Sequence, residues 1–147
     1  MSFHPLLLRI WNVFSVSRVS NLSPADPISH FLTHKNHFSP QNNRVKPAPF
    51  LPRANKKISG RLETSVFATR DLSESQIWNL GRAYLRKTRI YGCANLQVGV
   101  AEKIKLQVVI DNSPRRHGNI LGWPPEKDAQ KDLALDLARH SGLRILP

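Results

Sequence analysis

Between residues 96 and 110, apolar side chains recur at every second position on both sides of a short linker. They are Leu96, Val98, Val100, Ile104, Leu106, Val108 and Ile110. A period of two is typical of strands that bury one face. The three-residue linker 101–103 has the length of a hairpin connection. We therefore predict a β-hairpin over residues 96–110.

Two other segments have the period of a helix. Ser73 and Gln76 have the spacing of a capping box, and apolar residues follow at helical intervals. A second helix is expected after Pro124 and Pro125, ending near Gly142. With a short strand at 65–69, the order β-α-β-β-α predicts an α+β fold, in which two helices cover a small antiparallel sheet. Leu143 and Ile145 predict a short terminal strand that returns to the sheet.

Residues 61–147 are predicted to form a single α+β domain, preceded by two segments of different composition. Residues 26–60 contain five prolines and many basic side chains, which predicts an extended basic Pro-rich arm anchored by Phe50 and Leu51. Residues 1–25 lack acids before Asp26, as in a poorly ordered leader or an organelle-targeting peptide. Their apolar run is interrupted by Arg9 and is too short to span a bilayer, so no integral membrane insertion is expected.

The chain is strongly basic. Its 22 Lys and Arg residues outnumber ten Asp and Glu, for a formal net charge of +12. Eight of the basic residues but only one acid, Asp26, fall in residues 1–60. This balance predicts attraction to a polyanion such as DNA or RNA. In the arm, we expect Lys46, Arg53, Lys56 and Lys57 to contact phosphates.

The segment from Asp111 to Trp123 has the highest density of side chains that can do chemistry. Two adjacent guanidiniums, an imidazole and an amide can together hold a phosphate; they belong to Arg115, Arg116, His117 and Asn119. A histidine with a carboxylate partner can also act as a general acid or base, and Asp111 or Glu63 would supply that partner. The alternative is a solvated turn whose His117 and Asn119 bond the loop backbone, while Ile120, Leu121 and Trp123 close the core.

Other residues that can bind metals or act as nucleophiles carry weaker signals. His30, His34 and His37 would share one face of a helix, but a short surface helix is preferred over a metal site because carboxylates are sparse nearby. Cys93 is the only cysteine and is expected to be a small buried residue. Known nucleotide, zinc and hydrolase motifs are missing from the sequence, and we predict no metal and no cofactor.

Three classes of function remain open at this point. The preferred one is a small basic intracellular protein, expected in the cytoplasm, that binds nucleic acid through the arm and the loop Arg115-Arg116-His117. The second is a nuclease or other phosphoryl-handling enzyme that loses activity on replacement of His117. The third is an adaptor, such as an antitoxin-like subunit, whose arm binds an acidic protein partner. A targeting role for residues 1–25 would instead place the protein in an organelle.

Overall fold

A seven-stranded antiparallel sheet dominates the computed structural model, which describes residues 22–147. The strands are Pro27–Leu32 (β1), Phe38–Ser39 (β2), Arg44–Val45 (β3), Arg53–Ala54 (β4), Leu62–Ala68 (β5), Gly92–Gln97 (β6), Gln107–Ile110 (β7), His117–Leu121 (β8) and Gly142–Ile145 (β9). The helices are Glu74–Tyr84 (α1), Val98–Lys103 (α2) and Lys127–Arg139 (α3). The sheet order is β7-β8-β5-β1-β6-β9, with β4 beside the start of β5, while β2 and β3 pair separately.

The predicted α+β class with an antiparallel sheet is confirmed, and so are two helices and the terminal strand β9. The capping box begins α1 as expected. The Gln76 N–H donates to Ser73 Oγ at 3.2 Å, and the Ser73 N–H donates to Gln76 Oε1 at 2.8 Å. This reciprocal pair satisfies donors that the first helical turn leaves without a partner.

The predicted hairpin over residues 96–110 was wrong. Residues Val98–Lys103 form the helix α2, which buries Val98 and Ala101 three positions apart. Strand β7 pairs with β8, not with β6. A short apolar run such as Val98-Gly99-Val100-Ala101 fits a strand or one helical turn equally well, so its period does not decide between them.

The predicted arm is not confirmed, because part of it belongs to the main sheet. Residues Pro27–Leu32 form β1, which pairs with β5 on one side and with β6 on the other. Its leading proline and its polar Ser29 and His30 conceal a strand pattern, although a proline is tolerated at a strand's first residue. Phe50 is fully buried, in agreement with its predicted anchoring role. Residues 1–21 of the predicted leader lie outside the described residues.

The two faces of the sheet are built differently, and we name them by what they carry. The apolar face carries Ile28, Val66 and Ile120 and packs against α2 and α3 in the larger core cluster. The polar face carries Ser65 and His117 and is covered over part of its area by α1. Gly81 lets α1 approach, because a Cβ there would lie 2.6 Å from the Phe31 ring.

Candidate functional site

The pairing of β5 with β8 brings together two side chains that lie 52 positions apart in the chain. Ser65 is directly opposite Asn119, and Phe67 is directly opposite His117. Residues opposite each other in an antiparallel pair share a face, so all four side chains lie on the polar face. Ser65 and His117 are diagonal neighbours in this register.

Ser65, His117 and Asp111 form a continuous hydrogen-bonded triad. Ser65 Oγ lies 2.8 Å from His117 Nε2, and His117 Nδ1 lies 2.9 Å from Asp111 Oδ1. A carboxylate only accepts hydrogen bonds, so Nδ1 carries the hydrogen that is donated to Asp111. The lone pair of Nε2 is then free to accept the Ser65 hydroxyl proton, which is the polarity needed to activate a serine.

The turn between β7 and β8 holds Asp111 in place. The backbone N–H of Asp111 donates to the His117 carbonyl at 2.9 Å, which closes the turn. Its Oδ1 also accepts from the Ser113 N–H at 3.0 Å, and its Oδ2 accepts from Asn119 Nδ2 at 3.3 Å. Asn119 is buried, and its own Oδ1 has no hydrogen-bond partner in the described part of the chain. The carboxylate is thus oriented by three groups before any ligand binds.

Two aromatic rings shield His117 from solvent. Tyr84, the last residue of α1, stacks on the imidazole with ring centroids 5.2 Å apart and planes tilted by 25°. Phe67 meets the same imidazole edge to face, also at 5.2 Å. His117 is only 6% exposed as a result. Burial on the His117 side therefore limits competition from water for its hydrogen bonds, although Asp111 itself is exposed.

Ser65 is the member of the triad that lines a cavity. It is half-buried and lines a cavity of about 320 Å³ between β1, β4, β5 and the end of α1. His30, Arg53 and Tyr84 are among the other lining residues, whereas neither His117 nor Asp111 lines the cavity. A ligand in this cavity would therefore contact Ser65.

The remaining candidates from the loop have different environments. Arg115 is exposed, whereas Arg116 Nη1 donates to the carbonyls of Ala68 and Arg70 at 3.2 Å each. The two guanidiniums therefore do not form a paired fork in this structure. Glu63 does not contact His117; it accepts from Asn55 Nδ2 at 2.7 Å and pairs with Arg61 at 3.2 Å.

The four cations predicted in the arm lie on the folded unit. Arg53 is in β4, Lys56 and Lys57 follow in the loop to β5, and Lys46 comes just after β3. All four are exposed. Arg53 also lines the cavity beside Ser65, so at least one predicted phosphate contact is adjacent to the triad.

The three histidines do not share a helix. His30 is in β1, where its Nδ1 lies 2.6 Å from the Ser65 carbonyl oxygen, and burial lowers its pKa. His34 and His37 flank a single 3-10 turn. Across residues 22–147, no three His, Cys, Asp or Glu side chains are grouped as a metal ion would require. Cys93 is buried as predicted, and this burial raises the pKa of its thiol to about 11.

Three parts of the site were not predicted from the sequence: Ser65, Phe67 and Tyr84. Their proximity to His117 follows from the pairing of β5 with β8 and from the position at which α1 ends. A signal was available in the alternation from Glu63 to Phe67, which puts Ser65 on the face opposite Val66. The strand β8 was itself missed, since its polar first residues resemble a loop.

No family model, curated protein or solved structure matches this chain. Within the described residues, no helix has the length and apolar character needed to cross a membrane. The function is therefore inferred from the site.

Proposed function

We propose that this protein is a hydrolase that uses Ser65 as a nucleophile, His117 as its general base and acid, and Asp111 to orient His117. The supporting observation is the triad itself, with distances of 2.8 Å and 2.9 Å and with its serine at a cavity wall. A serine hydroxyl is a weak nucleophile alone, and an adjacent base oriented by a third group activates it. Among the functions considered from the sequence, this is closest to the His117-dependent enzyme.

Each group has a defined role in the proposed reaction. Ser65 Oγ attacks the ester carbon or phosphorus while its proton moves to His117 Nε2. The imidazolium is stabilised by Asp111 and then protonates the departing alcohol. Water next attacks the covalent intermediate, gives its proton to His117, and releases Ser65 with its hydroxyl restored. Once Ser65 Oγ is bonded to the substrate it no longer donates to Nε2, so the departing alcohol and then the water exchange protons with Nε2 directly.

Hydrolysis of three chromogenic esters tests this proposal. p-Nitrophenyl acetate, p-nitrophenyl phosphate and bis(p-nitrophenyl) phosphate represent acyl, phosphomonoester and phosphodiester transfer. We expect turnover of at least one ester, and its rate should fall roughly 10³-fold or more in Ser65→Ala. The matched control is Ser75→Ala, because Ser75 is an exposed serine of α1. Equal turnover by Ser65→Ala and wild type would refute the role of Ser65.

We propose, as a second function, association with nucleic acid. It is supported by the net charge of +12 and by the exposed cations Lys46, Arg53, Lys56 and Lys57, of which Arg53 lines the cavity. Phosphate contacts of this kind release counterions, so affinity falls steeply as salt increases. Binding of the full chain to single- and double-stranded DNA and RNA is measured across a salt titration. Affinity that does not change with salt would contradict this function.

A further inference from the structure

One wall of the cavity beside Ser65 carries basic side chains. His34 and His37 contact each other edge to face with ring centroids 4.8 Å apart, and both line the cavity together with Arg53. His37 is half-buried, and its Nδ1 is buried with no hydrogen-bond partner in the described part of the chain. Because Nδ1 is buried, Nε2 is the ring nitrogen of His37 through which a ligand in the cavity would be bound.

The charges around His37 are of one sign. Burial lowers the pKa of His37, and the positive charges of His34, Arg53 and Lys46 lower it further. Glu63 is the one acidic side chain among the residues that line the cavity in the described structure. It is already engaged by Arg61 and Asn55. An anion would therefore find several donors here and little repulsion.

We infer that the wall formed by His34, His37 and Arg53 is a binding site for the phosphate group of a small phosphate monoester. As an assignment of substrate class, this inference rests on the proposed role of Ser65, which lines the same cavity. A volume of about 320 Å³ is at the lower end of small-molecule sites. It accommodates a phosphorylated metabolite or a terminal nucleotide but not a nucleic-acid duplex, whose major groove alone is about 12 Å wide.

Calorimetric titration of the full chain with inorganic phosphate at low ionic strength tests the site. We expect saturable binding, weakened on the order of tenfold in Arg53→Gln through loss of a charge-assisted contact. Arg139→Gln removes the same charge from the exposed end of α3 and should bind phosphate as the wild type does. Absence of binding in the wild type, or equal weakening by both substitutions, would overturn the inference.

Sulfate tests the role of the histidines, because it keeps its charge between pH 5.5 and pH 8. Protonated His37 attracts the anion, so sulfate should bind more tightly at pH 5.5 than at pH 8. The groups that face His37 are His34 on its own turn, His30 in β1, Lys46 after β3 and Arg53 in β4. All of them are basic, and protonation of the histidines among them at low pH also favours tighter binding of sulfate. Equal affinity for sulfate at both pH values would overturn the inference that the histidines of this wall bind the anion.

Two further comparisons show which kind of phosphate ligand the site prefers, and they distinguish failure of this inference from failure of the proposed role of Ser65. A 5′-phosphorylated dinucleotide should bind more tightly than its unphosphorylated form, and the reverse order would overturn the preference for a monoester. Phosphate binding without any ester hydrolysis would refute the proposed role of Ser65 alone, whereas hydrolysis without phosphate binding would refute the anion site alone.

Discussion

The two faces of the sheet use adjacent residues for opposite purposes. On the apolar face, Val66 and Ile120 are completely buried and pack only for stability. On the polar face, Ser65 and Asn119 are their sequence neighbours, yet they belong to a hydrogen-bonded group that includes His117 and Asp111. Because side chains alternate between the two faces along a strand, residues of the candidate site lie next to core residues in the sequence but on the opposite face of the sheet. Substitutions on the two faces should therefore affect different properties.

The largest effect is expected for Asp111→Asn on the polar face. The amide no longer stabilises an imidazolium and favours the wrong histidine tautomer, so the rate of any Ser65-dependent reaction should fall about 10⁴-fold. Thermal melting provides the control and should change little, since the Asp111 side chain is 37% exposed. Hydrolysis kinetics of the best ester measure the loss. Wild-type rates in Asp111→Asn would place His117 outside the reaction.

On the apolar face, Ile120→Ala should lower the free energy of unfolding by about 2–5 kcal/mol, because it leaves a cavity in a fully buried position. Urea unfolding followed by tryptophan fluorescence measures this change. The rate of ester hydrolysis per folded molecule should stay close to wild type. A large loss of activity in the folded variant would show that the two faces are not independent.

A smaller effect is expected from pH, through His30 between β1 and β5. Burial is the main cause of the lowered pKa of His30. As the pH falls through 6.5, His30 is therefore protonated in the unfolded chain while it is still neutral in the folded chain. The contribution of His30 to stability is therefore present above pH 6.5 and is lost as the pH falls below it. The urea midpoint should decrease between pH 7 and pH 5, and less so in His30→Gln.

His140→Gln serves as the control for that pH series, since His140 is exposed at the end of α3. Its urea midpoint should follow the wild type at both pH values. A His30→Gln midpoint that tracks the wild type just as closely would contradict a role for His30.

The sequence predicted one half of the candidate site and not the other. Asp111 and His117 are six positions apart, on either side of a turn, so their pairing could be anticipated from local chain geometry. Ser65 is 52 positions from His117, and only the pairing of β5 with β8 brings them together. Long-range strand pairing depends on the whole set of competing registers, which one sequence does not reveal.

The fold was predictable to a similar extent. The capping box at Ser73 and Gln76 is a local signal and located α1 correctly. The strands β1 and β8 were missed because His30, His117 and Asn119 interrupt their apolar pattern. These polar residues line the cavity, belong to the triad or bond to it. Positions that depart from simple patterning are often functional, and here they concealed the strands that carry the site.

The most direct test of the central claim is the reaction of the protein with a fluorophosphonate, a probe that modifies activated serines. Peptide mapping by mass spectrometry would locate the modified residue in the wild type and in His117→Gln, with thermal melting to confirm that the variant folds. We expect modification of Ser65 in the wild type and little or none in His117→Gln. An unmodified Ser65 in the wild type, or an equal rate of modification in both proteins, would contradict it.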